Sequence, residues 1–201
     1  DAGVRLDKRW LEELLKPFGV QSPPAPVVSC GFFQAEPRSV FEVALGAATL
    51  PDAQEINPVT FLPSSRSVAF TKEAWEKVGG YPERLDYCED LVFDIELRRA
   101  GYRFRWTSFA LAYFRPRPSL GAFFRQYYLY ARGDGKADLW RRRHLIRYTS
   151  YLAGATLFAA GFAFWPLWPA LLAGVGIHLY RPYRRLPGRA ATLSPLDRLT
   201  A

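Results

Sequence analysis

An uncharged run of 33 residues, Tyr148–Tyr180, constrains the fold of this chain more than any other feature. As one straight helix the run would be about 50 Å long, at about 1.5 Å per residue. The hydrocarbon core of a bilayer is only about 30 Å thick, and one span needs about 20 residues. Pro166 and Pro169 interrupt the run near its middle, next to two tryptophans. We therefore predict a hairpin of two short membrane spans, roughly 149–164 and 167–180.

The charge distribution agrees with that hairpin. Residues 1–114 carry 13 Lys/Arg against 16 Asp/Glu, a net charge of −3, whereas residues 115–189 carry 13 against 2, a net charge of +11. Arginine clusters stand on both sides of the uncharged run, and the positive-inside rule assigns both to the cytoplasmic side. The alternative is a pair of helices buried in the core of a soluble protein, but such helices are rarely flanked by arginine clusters.

The beginning of the chain and its cysteines add two expectations. The chain contains no methionine and starts on Asp1, so we expect a fragment or processed piece that lacks its N-terminal part. Two cysteines, Cys30 and Cys88, are too few for a disulfide framework. No histidine stands near Cys88 in the sequence, and it is interpreted as a small packing residue.

The front half of the chain alternates strand and helix patterns, which indicates an α/β layer fold. Thr71 and Ser119 are predicted helix caps, the second of a helix with a broad aromatic face. That helix fits a membrane interface or a protein core equally well. Strands are predicted over 27–33, 102–106 and 109–114, and helices over 8–16, 41–50, 71–78 and 89–100.

Two adjacent carboxylates, Glu89 and Asp90, follow a Gly-Gly turn and begin a predicted helix. The dipole of a helix favours negative charge in its first turn. Acidic residues at this place are common caps, so the local pattern alone leaves a structural and a functional interpretation open. Its surroundings favour the functional one.

Four blocks of sequence carry a resemblance to a family-two glycosyltransferase of the GT-A fold, membrane-associated. Glu89-Asp90 resembles the E-D motif, and its Gly-Gly turn makes it the most specific block. The resemblance covers about residues 1–136 and also rests on Asp1-Ala2-Gly3 with Asp7–Leu11, on Pro63–Phe70 with Trp75 and Val78–Glu83, and on Phe124–Tyr128 with Ala131–Gly133.

The resemblance implies an α/β fold that is the C-terminal half of a GT-A (Rossmann-like) nucleotide-diphospho-sugar transferase domain, followed by an interfacial helix and a transmembrane helical hairpin. It also implies a multi-pass protein of the cell membrane with its catalytic part cytoplasmic. The expected divisions are 1–118 for the catalytic half-domain, 119–147 for the interfacial helical region, 148–180 for the hairpin and 181–201 for a basic tail.

The resemblance further implies transfer of a sugar, with inversion, from a nucleotide-diphospho-sugar to a lipid-linked or polysaccharide acceptor at the cytoplasmic membrane face. Asp90 would be the base that takes the acceptor proton, and Glu89 would orient or bind the acceptor. The expected acceptor loop contains Ser64, Ser65 and Arg66. This fragment alone is expected to be inactive, because the strands that bind the nucleotide base precede the acidic motif in the family.

The chain departs from the family pattern at its metal ligands. The family motif is Asp-x-Asp, but here Asp1 has no second carboxylate, and no histidine follows the last strand. Mg²⁺ or Mn²⁺ could still bind through Asp1, water and the diphosphate. Alternatively, arginines neutralise the phosphate charge or attract lipid headgroups. The candidates are Arg115, Arg117, Arg125 and Arg132.

Three other functions stay open at this stage. A non-catalytic membrane-anchored binding or adaptor module would tolerate Asp90→Asn, whereas an enzyme would lose turnover. A nucleic-acid-binding protein fits the pI near 9.7, but the uncharged run argues against it, so no nucleic-acid partner is expected. A hydrolase that uses two carboxylates is the third.

Overall fold

The fold centres on a mixed four-stranded sheet with helices packed against it. The computed structural model describes residues 3–19 and 27–190. The strand order is β1-β4-β2-β3. The strands are β1 Val4–Leu6, β2 Val27–Ala35, β3 Val68–Ala69 and β4 Arg103–Phe114. The predicted α/β class is therefore found, and the sheet and its helices are consistent with a GT-A-like domain.

The two long strands, β2 and β4, run parallel in the middle of the sheet, and β1 and β3 pair antiparallel at its edges. The pairing of β2 with β4 shifts register between Cys30 and Phe32. At that irregularity a Cβ on Gly31 would lie 1.9 Å from Oγ of Ser67, so only glycine fits. The two strands predicted at 102–106 and 109–114 are one strand, because the shift in register absorbs the interruption.

Seven helices lie in the described part of the chain, and three begin with a side-chain cap. Ser39, Thr71 and Ser119 each accept a hydrogen bond from the backbone N–H three residues later. The caps predicted at Thr71 and Ser119 are therefore confirmed. The helices are α1 Trp10–Leu15, α2 Val40–Thr49, α3 Lys72–Lys77, α4 Glu89–Arg99, α5 Leu120–Lys136, α6 Arg141–Gly161 and α7 Leu167–Ala190.

The main hydrophobic core lies between β2 and helices α3 and α4. Phe93 is its central aromatic ring, with ring centroids 4.4 Å from Tyr81 and 4.8 Å from Phe70. Because Phe93 belongs to α4, this core fixes the helix that begins with the two acidic residues. The buried members of the core are Val28, Cys30, Ala74, Phe93, Leu97 and Tyr102.

The predicted transmembrane hairpin is wrong. Helices α6 and α7 pack against each other around a turn at 162–166. However, none of the helices in residues 3–19 and 27–190 has the length and apolar character needed to cross a membrane. The uncharged parts of α6 and α7, 148–161 and 167–180, have 14 residues each. Each is about 21 Å long, shorter than the hydrocarbon core of about 30 Å.

The end of α7 returns to the α/β part of the molecule. Arg189 donates to the Leu50 carbonyl oxygen at 2.8 Å and pairs with Asp52 at 2.6 Å. Arg185 donates to the carbonyl oxygen of Ala47 at 3.0 Å. Residues 181–190 of the expected basic tail are thus helical and docked beside α2, while 191–201 lie outside the described residues.

Candidate active site

The turn that leads to the acidic pair is held by glycines and an aromatic ring. Gly79 and Gly80 both have positive φ, 78° and 74°, a conformation that glycine adopts without steric cost. A Cβ on Gly80 would lie 2.6 Å from the ring of Trp75. Because the chain must pass this close to Trp75, the sequence Gly-Gly-Tyr produces a sharp turn and directs Tyr81 onto Phe93 in the core.

The helix that carries the acidic pair has an unusual start. Cys88, the residue before α4, has φ 65° and ψ 14°, and α4 has no side-chain cap. A left-handed conformation at a residue other than glycine costs roughly 1–3 kcal/mol and persists only when the surrounding structure imposes it. Glu89 and Asp90 follow in the first turn, where both are half-buried and the helix dipole favours their negative charge.

Asp90 is hydrogen-bonded to the loop before β3. The Ser65 hydroxyl donates to Oδ2 of Asp90 at 3.2 Å, and the Leu91 N–H donates to Oδ1 at 2.9 Å. Ser65 is exposed to solvent while Asp90 is half-buried. Two of the predicted site residues therefore lie together at the surface, although 25 positions separate them in the sequence.

Ser67 anchors that loop to the sheet. Its buried hydroxyl donates to the Ala110 carbonyl oxygen at 2.8 Å and accepts from Nε1 of Trp10 at 2.8 Å. Ser64 and Arg66 are hydrogen-bonded to each other at 3.0 Å. Ser65 is consequently held in a fixed loop, where its hydroxyl donates to Asp90.

A third carboxyl group lies one helical turn behind the acidic pair. Asp94 is 3% exposed, and within the described residues its Oδ2 has no hydrogen-bond partner. Burial, together with the negative charge of Asp90, raises the pKa of Asp94 to about 8. Burial, together with the charges of Asp94, Asp90 and Glu89, raises the pKa of Tyr81 to about 12. Below pH 8, therefore, the buried acid is mostly neutral.

These features give α4 one half-exposed aspartate beside a hydroxyl at a fixed position. A carboxylate at such a place can accept a proton from a bound hydroxyl group. A family model described as glycosyl transferase family group 2 matches residues 50–185. The chain belongs to glycosyl transferase family group 2. The match covers about two thirds of the chain, and comparisons with curated proteins and with solved structures found no match.

The family assignment decides between the functions left open by the sequence. Because the chain is a glycosyltransferase, the adaptor, nucleic-acid and hydrolase interpretations lose their support. The glycosyltransferase family implies a nucleotide-sugar donor and an acceptor. The matched range contains the Ser65 loop, α4 and α5. Both residues of the hydrogen bond between Ser65 and Asp90 therefore lie in the part of the chain that the family model matches.

The four arginines predicted to hold phosphate or lipid headgroups have different surroundings in this glycosyltransferase. Arg115 donates through Nε and Nη2 to Oε1 of the fully buried Glu42, at 2.9 and 2.7 Å. Arg117 donates to the Gln126 side chain at 3.0 Å. The other two, Arg125 and Arg132, are exposed on α5.

A metal centre is not formed by the part of the glycosyltransferase that the structure describes. Within residues 3–19 and 27–190, no three side chains of His, Cys, Asp or Glu lie close enough together to hold a metal ion. Asp1, the predicted metal- and donor-binding residue, lies outside those ranges. The Mg²⁺ or Mn²⁺ predicted at Asp1 therefore stays a prediction.

The sequence analysis missed a group of residues on α5 that contact the turn before α4. Asp134 accepts a hydrogen bond from the Cys88 thiol at 3.4 Å, and Lys136 pairs with Asp86 at 3.2 Å. A Cβ on Gly133 would lie 2.8 Å from the Tyr87 carbonyl oxygen. The sequence feature that could have pointed to this group is 132–136, a run of glycines and charged residues in a helix that is otherwise rich in aromatic residues.

Proposed function

We propose that this glycosyltransferase moves a sugar from a nucleotide-diphospho-sugar to a hydroxyl group of a lipid-linked or polysaccharide acceptor, with inversion at the anomeric carbon. Asp90 is the general base of the reaction. The observation that carries this proposal is the position of Asp90, in the first turn of α4 and hydrogen-bonded to the exposed Ser65.

The reaction needs one proton acceptor and one stabilised leaving group. The acceptor oxygen bonds to the anomeric carbon while the bond from that carbon to the diphosphate oxygen breaks. Asp90 takes the hydroxyl proton, and the nucleotide diphosphate leaves with the electron pair. Ser65 keeps the Asp90 carboxylate in place, and Glu89 binds or orients the acceptor. The exposed Arg125 and Arg132 are available to neutralise phosphate charge.

The exposed apolar surface of the last two helices supports a lipid-linked acceptor. Large side chains on α6, on α7 and on the turn between them face solvent, among them Phe162, Trp165 and Ile177, which are 76%, 75% and 78% exposed. An apolar surface of this kind marks an interaction site on many proteins. A polysaccharide acceptor needs no such surface, so the two acceptor classes can be separated by experiment.

The test is a donor screen on the full-length protein. Nucleotide-diphospho-sugars are supplied one at a time with lipid and saccharide acceptors, and nucleotide diphosphate release and sugar incorporation are both measured, with and without chelator. We expect Asp90→Asn to lower turnover by about 10²–10⁴-fold, since the amide cannot take the proton. Partition of labelled product into organic solvent identifies a lipid-linked acceptor.

Glu83→Gln is the matched control, because Glu83 is an exposed carboxylate in the turn before α4. It should leave turnover unchanged. Far-ultraviolet circular dichroism and thermal unfolding must show that the Asp90 variant is folded. If folded Asp90→Asn transfers sugar at the normal rate, Asp90 is not the base. Absence of sugar transfer with every donor would refute the proposed function itself.

A further inference from the structure

The start of α4 depends on contacts from outside the helix. Cys88 is left-handed, and no side chain caps the helix that follows. A helix without its own cap has free backbone N–H groups and a start that other parts of the structure must fix. Glu89 and Asp90 follow Cys88 directly in the chain, so a change in the backbone conformation of Cys88 would also move both carboxylates.

Helix α5 supplies those contacts to three consecutive residues of the turn. Lys136 pairs with Asp86 at 3.2 Å. Gly133 packs so closely against Tyr87 that a Cβ would lie 2.8 Å from its carbonyl oxygen. The thiol of Cys88 lies 3.4 Å from Oδ1 of Asp134 and 3.5 Å from the Tyr130 carbonyl oxygen, both on α5.

Asp134 is the residue through which this contact extends to a further helix. Its second oxygen, Oδ2, is 3.1 Å from Nε2 of His144 in the first turns of α6. The Asp134 and His144 side chains are only 20% and 17% exposed, so solvent competes little for the hydrogen bond between them. The carboxylate is consequently fixed on both oxygens, and it can hold the thiol of Cys88 in one place.

The thiol of Cys88 is suited to be the donor in this pair. It is buried, and burial together with its hydrogen bond to Asp134 raises the pKa of Cys88 to about 12. At physiological pH the sulfur therefore keeps its proton and donates it to the carboxylate. A thiolate at this place would repel Asp134 and would lose the contact.

We infer that Asp134 is a positioning residue, which holds Cys88 in its left-handed conformation through the thiol hydrogen bond and so sets the direction of Glu89 and Asp90. The inference rests on the proposed function of Asp90 as the base. Asp134 itself takes no part in the reaction. A displacement of reacting groups by about 1 Å can cost about a hundredfold in rate, so the contact matters for turnover more than for donor binding.

The test compares Asp134→Ala, which removes the acceptor of the thiol hydrogen bond, with Asp138→Asn in the full-length protein. Asp138 is an exposed carboxylate four residues away that pairs with Arg141, so it is the control for the loss of a negative charge. We expect Asp134→Ala to lower kcat by about 10- to 100-fold with KM for the donor nearly unchanged. Hydrogen–deuterium exchange of the amides of 86–92 should become faster in Asp134→Ala only.

Substitutions of Cys88 give the same comparison from the other side of the hydrogen bond. Cys88→Ser keeps a donor and should retain most of the turnover, whereas Cys88→Ala should behave like Asp134→Ala. This pair also decides the question if Asp134→Ala does not fold. Equal kcat for Cys88→Ser and Cys88→Ala would overturn the inference.

The exchange measurement separates this inference from the proposed function. Unchanged exchange at 86–92 in Asp134→Ala overturns the positioning role, whatever the transferase assay gives. Normal turnover of Asp134→Ala overturns it as well. Normal turnover of Asp90→Asn, by contrast, refutes the function proposed for Asp90.

Discussion

The Ser65 hydroxyl donates a hydrogen bond of 3.2 Å to Oδ2 of Asp90 and links the loop before β3 to the first turn of α4. The loop does not depend on this bond for its own position, because the buried hydroxyl of Ser67 ties it to β4. The bond therefore acts on Asp90. It restricts the rotation of the Asp90 side chain, which as the proposed base has to meet an acceptor hydroxyl in one orientation.

Removing that hydroxyl should slow the enzyme without unfolding it. A hydrogen bond to a charged group contributes about 1.5–3 kcal/mol, and the exposure of Ser65 reduces this. We expect Ser65→Ala to lower kcat by about tenfold at most, since about 1.4 kcal/mol corresponds to a factor of ten, with an unchanged melting temperature. Thr60→Ala removes another exposed hydroxyl of the same region and should change neither quantity. Normal kcat in Ser65→Ala would mean that the bond has no role in turnover.

The buried Asp94 should make stability depend on pH. The pKa of Asp94 is about 8 in the folded chain and close to the ordinary aspartate value of 3.8 when the chain is unfolded. Between these values the unfolded state releases a proton that the native state keeps, so stability falls as pH rises from about 4 to about 8. Asp94→Asn cannot ionise. Its melting temperature should equal the parent value near pH 4 and exceed it increasingly up to pH 8.

The control for Asp94 is Glu83→Gln, which removes an exposed carboxylate from the turn before the same helix. The difference in melting temperature between that variant and the parent should be constant from pH 4 to pH 8. A constant difference for Asp94→Asn as well would show that Asp94 is already ionised in the native state.

Local sequence patterns predicted the helices and the place of the acidic pair. The caps at Thr71 and Ser119 and the Gly-Gly turn act over three or four residues, so they can be read directly from the chain. The hairpin prediction failed because an uncharged run is not necessarily an apolar one. Residues 148–180 include tyrosine, tryptophan, glycine, serine and threonine, and the turn divides the run into halves too short for a bilayer.

The contacts that complete the site are not local, so the sequence does not show which residues they join. Asp134 meets Cys88 across 46 positions, and Arg115 meets Glu42 across 73. Glu42 lies on the face of α2 that turns inward, and a buried carboxylate needs a partner that only the folded chain supplies. The sequence analysis placed Arg115 among the phosphate-binding candidates, because an ion pair between residues so far apart cannot be read from the sequence.

Neither cysteine should react in the folded protein. Cys30 and Cys88 are buried, and burial raises the pKa of both thiols to about 12. At pH 8 only about one thiol in 10⁴ is the reactive thiolate. Peptides containing these residues should carry no iodoacetamide label after treatment of native protein and full label after unfolding in guanidinium. Labelling of Cys88 in native protein would contradict the buried thiol that the contact with Asp134 requires.

Arg115 should be required for stability, because it neutralises a carboxylate with no access to water. Burial alone would raise the pKa of Glu42, but the hydrogen bonds from Arg115 and from the Arg38 N–H outweigh it, and the pKa is lowered. A carboxyl group whose folded pKa is lowered stabilises the protein above its unfolded pKa, and this contribution is lost as pH falls through the folded value. Removing the guanidinium leaves the buried charge without its partner.

Arg115→Ala should therefore lower the melting temperature by several degrees at pH 7, and the deficit should shrink as the pH falls through the lowered pKa of Glu42 and its carboxylate becomes protonated. Adding Glu42→Gln to Arg115→Ala should recover part of the loss, since the buried side chain is then neutral. Arg117→Ala is the control, because Arg117 is exposed and donates to the neutral side chain of Gln126 at the surface. If Arg115→Ala is as stable as Arg117→Ala at pH 7, the ion pair does not contribute to stability, and the Arg115 side chain is available to bind phosphate.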